Sequence, residues 1–206
     1  RTVALDNSVP VPLYFDPRLP GQALPTGKDT YLFQEFPTKQ PENIEECAFY
    51  TIGQLAHLIR TRQVTSLELT TMYLERLKRH GPTLECVVTL TEQLALKQAR
   101  RADKNIKAGR YLGPLHGIPY GAKDLLAVPG YKTTWGAMTH KDQVLDEPAT
   151  VVQKLEDAGA VLVAKLTLGA LAWGDVWYGG KTRNPWNTEQ GSSGSSAGPG
   201  SATAAG

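Results

Sequence analysis

Near the C-terminal end of this 206-residue chain, the eight residues Gly191-Ser192-Ser193-Gly194-Ser195-Ser196-Ala197-Gly198 hold four serines and three glycines. That composition alone would suit a flexible linker. Its flanks argue otherwise. Upstream lies Asn184-Pro185-Trp186-Asn187, a turn with an aromatic anchor. Downstream, Ser201 to Ala205 is rich in alanine and inclined to helix. Glycines set between a turn and a helix start mark a backbone that something must approach closely. Serines there are placed for hydrogen bonding or for chemistry.

A second stretch, Gly117-Ile118-Pro119-Tyr120-Gly121-Ala122-Lys123-Asp124, puts a lysine at the end of a short apolar run. If the run is a buried strand, Lys123 sits partly out of water. Desolvation disfavours an ammonium, so a neutral amine able to act as a base is the expectation. Such a lysine beside a serine is a way to activate a hydroxyl. Read alone, Lys123 is better taken as a surface lysine with its stem on the protein, and it is the paired Gly-Ser stretch that reverses this.

Taken together and in this order, the two stretches resemble the amidase signature family. The run Gly159-Ala160-Val161-Leu162-Val163-Ala164-Lys165-Leu166-Thr167 is similar to that family's strand before its next helix. The resemblance extends from about Tyr50 to Gly206. It implies an α/β fold, a mixed sheet covered by helices on both faces, incomplete in this chain. It also implies a Ser-Ser-Lys triad. Lys123 would be the base, and Ser192, preceded by Gly191 through a cis peptide, would relay the proton. A second serine would attack the amide carbonyl. Gly191, Ser193 and Gly194 would form the supporting loop, with Ser193 hydrogen-bonding it. Ser195 stands where the family usually has glycine. The family carries the attacking serine further along, in a Gly-rich motif whose N–H groups bind the oxyanion, so the chain reads as truncated before the nucleophile. The implied chemistry is hydrolysis of a carboxylic amide through an acyl-enzyme, with no metal or other cofactor.

One branch of the family is the glutaminase (A) subunit of the tRNA-dependent amidotransferase. It releases ammonia from glutamine and works with charged tRNA and a partner subunit. After the strand that branch usually carries an acidic residue, in an Asp-Glu-Phe-Ala-like run, where this chain has Leu168-Gly169-Ala170-Leu171-Ala172. A stand-alone amidase is therefore the first reading, the amidotransferase component the second, and a non-catalytic fragment the third. The partners expected are a small-molecule amide and the remaining part of the domain, in the same or a second chain, with a homodimer left open.

Residues 1–46 differ from the rest: seven of the 14 prolines lie between Pro10 and Pro41. The stretches Val9-Pro10-Val11-Pro12 and Asp16-Pro17-Arg18-Leu19-Pro20-Gly21 cannot hold a regular helix, and an extended arm is expected. Its aromatics Tyr14, Phe15, Tyr31, Phe33 and Phe36 suggest that it packs on the body formed by residues 47–206. Along the body, Thr51 caps a first helix and Thr65-x-x-Glu68 opens a second as a capping box, ending near Gly81-Pro82. Cys86 to Leu90 reads as a strand. Thr91 caps a helix with Ala95, Ala99, Ala102 and Ile106 inward and Gly109 just past its end. A loop, Val128 to Gly136, follows the Lys123 strand. Pro148 starts another helix, and Ala160 to Ala164 forms a buried strand. Helices alternating with strands imply an α/β fold.

Hydrophobic residues at 41% and charged residues at 20% fit a soluble globular protein, cytoplasmic or exported with a signal removed. A net charge of +2 gives no ground for nucleic acid or membrane binding. The basic stripe Lys97, Arg100, Arg101 and Lys104 has no interleaved aromatics and reads as a solvated helix face. No apolar run is long enough to span a membrane. Cys47 and Cys86 have no metal or redox spacing and could pair or stay reduced. A rival site is Gly194-Ser195-Ser196-Ala197-Gly198, a G-x-S-x-G elbow with Ser196 as nucleophile. That chemistry needs a later histidine, and His57, His80, His116 and His140 all come earlier. No phosphate-loop or dinucleotide fingerprint is complete.

Overall fold

A computed structural model of the protein describes residues 36–206 and, before them, residues 8, 18, 19, 21–23, 26 and 27. The chain divides into two units, Arg1–Phe33 and Gln34–Gly206. In the first, Gln22 N–H closes a turn onto Leu19 C=O at 2.9 Å, with Gly21 at φ +83°. Tyr14, Phe15, Tyr31 and Phe33, the aromatics expected to pack on the body, lie outside the described residues. Phe36 belongs to the second unit, where its ring covers Gly53 so closely that a Cβ there would fall 2.2 Å from it.

The second unit begins with helices. Thr51 and Gln54 form a reciprocal capping box that starts α1 (Ile52–Arg60). Thr65 and Glu68 form another at the start of α2 (Ser66–Leu84). The apolar faces of both meet in a cluster of Leu55, Leu58, Ile59, Leu69, Met72 and Ile118. The second helix runs through Gly81 and Pro82, where the sequence placed its end. Pro82 lies in the last turn, and the helix stops only at Glu85, which adopts φ 48°. The Glu85 carboxylate then accepts from Lys181 N–H at 2.9 Å and from the Arg183 guanidinium at 3.2 Å.

Strand β1 (Val87–Leu90) leads into α3 (Glu92–Lys107). Thr91 does not cap that helix with its side chain, because its hydroxyl donates to Leu162 C=O at 2.7 Å instead. Strand β2 (Pro119–Lys123), α4 (Thr150–Asp157) and β3 (Val161–Leu166) follow. The sheet order is β1-β3-β2, with β3 antiparallel to β1 and parallel to β2. Every residue of β3 is buried, which requires cover on both faces. Val161 and Val163 pack with Leu74 of α2 and with Ala95 and Ala99 of α3. Leu162 packs with Val152 of α4 and with Val128. The expected mixed sheet with helices on both faces is the observed architecture.

Beyond β3 come two small hairpins, β4 (Val176–Trp177) with β5 (Gly180–Lys181), and β6 (Arg183–Asn184) with β7 (Asn187–Gly191). The last helix is α5 (Ala197–Ala204). Its first turn presses on the end of β3: Gly198 N–H donates to Thr167 C=O at 2.9 Å, and a Cβ on Gly198 would fall 2.4 Å from Thr167 N and 2.6 Å from Cys86 O. Its last turn is held by Arg76 of α2, which donates to Ala205 C=O at 2.7 Å and to Gly206 C=O. The basic stripe on α3 is exposed as expected, with Arg101 paired to Glu156 at 3.1 Å. Among the described residues no helix is long and apolar enough to cross a membrane.

Two outcomes test this packing. The methyl of Gly198→Ala has backbone on two sides, so about 1–3 kcal/mol of stability should be lost on urea unfolding. Cys47 and Cys86 are unpaired and fully buried, which pushes both thiols up to about 11. Burial also pushes the Tyr73 and Tyr120 phenols up to about 12. The folded core holds all four protonated more tightly than the unfolded chain does. The thiol contribution is therefore complete below an ordinary value of 9.0 and lost as the pH rises through about 11, and the phenol contribution is complete below 10.0 and lost through about 12. Thermal melts should show that alkaline decline, and iodoacetamide at neutral pH should spare both thiols until denaturant is added.

Candidate active site

Lys123 ends β2 at a point where the ladder is still intact, since the next residue, Asp124, donates its N–H to Leu166 C=O at 2.8 Å. The half-buried side chain of Lys123 reaches the start of α5. There its Nζ lies 2.9 Å from Ser195 Oγ and 3.1 Å from Ser196 Oγ. Ser196 occupies the N-cap position of α5 but makes no capping bond with its side chain, leaving the hydroxyl to the lysine.

Ser192 is not brought to Lys123. Its hydroxyl donates to Ser193 C=O at 3.1 Å and Ala197 C=O at 3.3 Å. The cis peptide expected between Gly191 and Ser192 stands three residues later, between Gly194 and Ser195. The physical reason is the hairpin. Strand β7 carries the chain in extended form to Gly191, and Ser192 N–H continues that pairing onto Thr182 C=O at 2.9 Å. The loop turns only after it, with Ser193 at φ 64° and its N–H on Asp175 Oδ2 at 3.1 Å.

The supporting loop is packed backbone to backbone. A Cβ on Gly194 would fall 1.8 Å from Gly174 O, and one on Gly191 would fall 1.9 Å from Asp175 Oδ2. Gly169 N–H donates to Ser195 C=O at 3.3 Å, so the segment after β3 grips the serine loop from its other side. Gly191, Ser193 and Gly194 thus shape the loop that presents Ser195.

Behind Lys123 lies a feature that the sequence reading passed over. Lys165 and Asp124 are both fully buried and form an ion pair at 2.6 Å. Lys165 also donates to Lys132 C=O at 2.9 Å and Thr133 Oγ1 at 3.3 Å. The other Asp124 oxygen accepts from Thr134 N–H at 2.8 Å and from the Thr134 hydroxyl. Burial pushes the Lys165 ammonium down, and Asp124 opposes the shift. A signal for this pair was present: a lysine within an apolar buried strand needs an acidic or carbonyl partner. Among the described residues no cluster of histidine, cysteine, aspartate and glutamate could hold a metal ion. A cavity of about 440 Å³ between α1, α2, β2 and α5 is apolar, and neither Lys123 nor the serines line it.

With this geometry established, the similarities to known proteins are informative. The A subunit of a glutamyl-tRNA(Gln) amidotransferase from Hahella chejuensis is 40% identical over 150 residues, covering 71% of this chain and 31% of that protein. The chain therefore matches about a third of that relative's length. The native peptide amidase from Stenotrophomonas maltophilia is 34% identical with a TM-score of 0.67, over 74% of this chain and 33% of that one. A protein from a vestigial complex tied to the origins of an s-triazine catabolic enzyme is 28% identical with a TM-score of 0.73, over 76% of this chain and 35% of that one. The model of the Amidase family matches residues 68–206, which include Lys123 and the whole serine loop, and the chain belongs to that family.

Proposed function

We propose that this chain supplies the base and the proton-relay serine of an amide hydrolase of the Ser-Ser-Lys type. The observation that carries the reading is the 2.9 Å contact between Lys123 Nζ and Ser195 Oγ. Ser195 takes the relay role assigned to Ser192 on sequence, because the Ser192 hydroxyl is engaged by two backbone carbonyls. We place the attacking serine in polypeptide beyond this chain, as the family resemblance implies.

In the acylation step, Lys123 accepts the Ser195 hydroxyl proton while Ser195 takes the proton of the attacking serine. The serine oxygen bonds to the amide carbonyl carbon, and backbone N–H groups near that serine hold the oxyanion. On collapse, the C–N bond breaks as Ser195 gives its proton to the leaving nitrogen and takes back the one held by Lys123. Water then attacks the acyl carbon while the same relay takes its proton, and that proton returns to the serine oxygen as the serine O–C bond breaks and the carboxylic acid leaves. A short relay of this kind supplies about 10²–10⁴ in rate by general acid–base catalysis.

A second reading has its own support. The identity to the Hahella protein favours the amidotransferase branch, in which the same chemistry would release ammonia from glutamine. The apolar run Leu168-Gly169-Ala170-Leu171-Ala172, where the resemblance puts acidic residues in that branch, favours the stand-alone amidase.

The test is kinetic, in a protein that carries this segment together with the rest of the domain. Lys123→Ala and Ser195→Ala should each lower turnover by about 10³-fold or more, as for removal of a triad member. Ser192→Ala should cost less than about tenfold, the scale of losing a supporting hydrogen bond. Substantial activity in Lys123→Ala or Ser195→Ala would overturn the assignment. Near-complete loss confined to Ser196→Ala would favour the nucleophile elbow. Hydrolysis of simple amides without glutamine dependence would favour the amidase over the amidotransferase component.

A further inference from the structure

We propose that the buried Asp124–Lys165 pair is a positioning device that aims Lys123 at Ser195, an inference resting on the reading of Lys123 as the base. The pair touches neither serine. It acts on both sides of the Lys123–Ser195 contact through two separate routes.

The first route is the strand. Successive side chains along a strand point to opposite sides. Lys123 and Asp124 are consecutive, and Asp124 N–H still bonds to Leu166 C=O at 2.8 Å. Drawing the Asp124 carboxylate into the interior, onto Lys165 at 2.6 Å, sends Lys123 out on the other side, where the serines stand. A slip of one residue would reverse the two, and the buried Lys165 ammonium would then face no carboxylate.

The second route is the loop after β2. Lys165 holds Lys132 C=O and the Thr133 hydroxyl, and Asp124 holds Thr134. The next residue, Trp135, donates its N–H to Asp124 C=O at 3.3 Å and accepts Leu171 N–H at 2.8 Å. Leu171 lies in the segment that grips the serine loop, where Gly169 N–H meets Ser195 C=O and Gly174 abuts Gly194. The pair is thus joined to the base through one neighbour and to the relay serine through a chain of backbone hydrogen bonds.

Stability alone is a poor reason for such a pair. Two charges taken out of water regain little net energy, and apolar residues of like volume often serve the fold as well. What the apolar substitutes lack is the directed set of bonds: three from the ammonium and two to one carboxylate oxygen.

The test uses the 206-residue chain and reads Lys123 directly. Acetylation by N-hydroxysuccinimidyl acetate at limiting reagent is followed by peptide mass spectrometry, with exposed Lys154 as internal reference. In the wild type, Lys123 should react at least about fivefold more slowly than Lys154, because it is half-buried and bonded to two serines. In the charge-free variant Asp124→Leu/Lys165→Met, the two rates should converge to within about twofold while circular dichroism stays native. An unchanged ratio in that folded variant would overturn the proposal. If the double variant does not fold, Thr134→Val decides: it deletes the hydroxyl that donates to Asp124 and accepts Gly136 N–H at 3.2 Å, leaves both charges in place, and should still speed Lys123 labelling about twofold, and no change would overturn the proposal. In the protein with the complete domain, kcat on 4-nitroacetanilide should fall at least about tenfold with KM nearly unchanged, since misalignment of the base is felt in the chemical step. Activity persisting in Lys123→Ala would remove the catalytic reading, while the labelling ratio would still decide whether the pair positions Lys123.

Discussion

A lysine and an aspartate, neither reached by solvent, meet 2.6 Å apart behind the last residue of β2. Neither charge could stand there alone, since an unpaired ion in the interior costs several kcal/mol. Each therefore fixes the other. Lys165 lies in β3, the central strand, and Asp124 directly follows β2, so their contact locks the register of the two parallel strands at the end where the site is built. The residues that complete the shell, Lys132, Thr133 and Thr134, come from the following loop, which is thereby held against the sheet.

The site itself is an encounter between two kinds of element. A strand end supplies the lysine and a helix start supplies the serines, and both are stiff because each is anchored elsewhere. The serine loop comes close because the residues in its way are glycines: Gly194 meets Gly174, and Gly198 meets Thr167 and Cys86. Two of the serines then lie within hydrogen-bond reach of one amine. A lysine in that setting can pass a proton through a hydroxyl without histidine or metal, and this is the chemical content of the proposed relay. The chain is similar to one stretch of much longer proteins, about a third of the length of each.

Much of the fold could be read from residue order. The cap at Thr51 and the capping box at Thr65 place the starts of two helices to the residue, because a cap is a local hydrogen-bond arrangement written in four positions. The apolar run before Lys165 declares a buried strand by composition alone. Local rules failed where a tertiary partner outbid them. Thr91 gave its hydroxyl to Leu162 C=O across the sheet instead of to its own helix. The second helix passed through Pro82, since a proline in the last turn leaves the earlier hydrogen bonds of the helix intact.

The sequence by itself determined the parts and their frame: a lysine closing one strand, a glycine-serine loop ahead of a helix, and an α/β fold between them. Only the tertiary structure decided which serine faces the lysine. Four serines and three glycines carry no apolar pattern that could set a register, so nothing local distinguishes Ser192 from Ser195. The choice is made by contacts distant in sequence: hairpin pairing carries Ser192 onto Thr182, Asp175 holds Ser193, and the docking of α5 on β3 leaves Ser195 and Ser196 opposite Lys123. The partner of Lys165 was hidden for the same reason. A buried charge announces that it needs a counter-charge, but which carboxylate answers is settled by strand register, and that exists only once the sheet is formed.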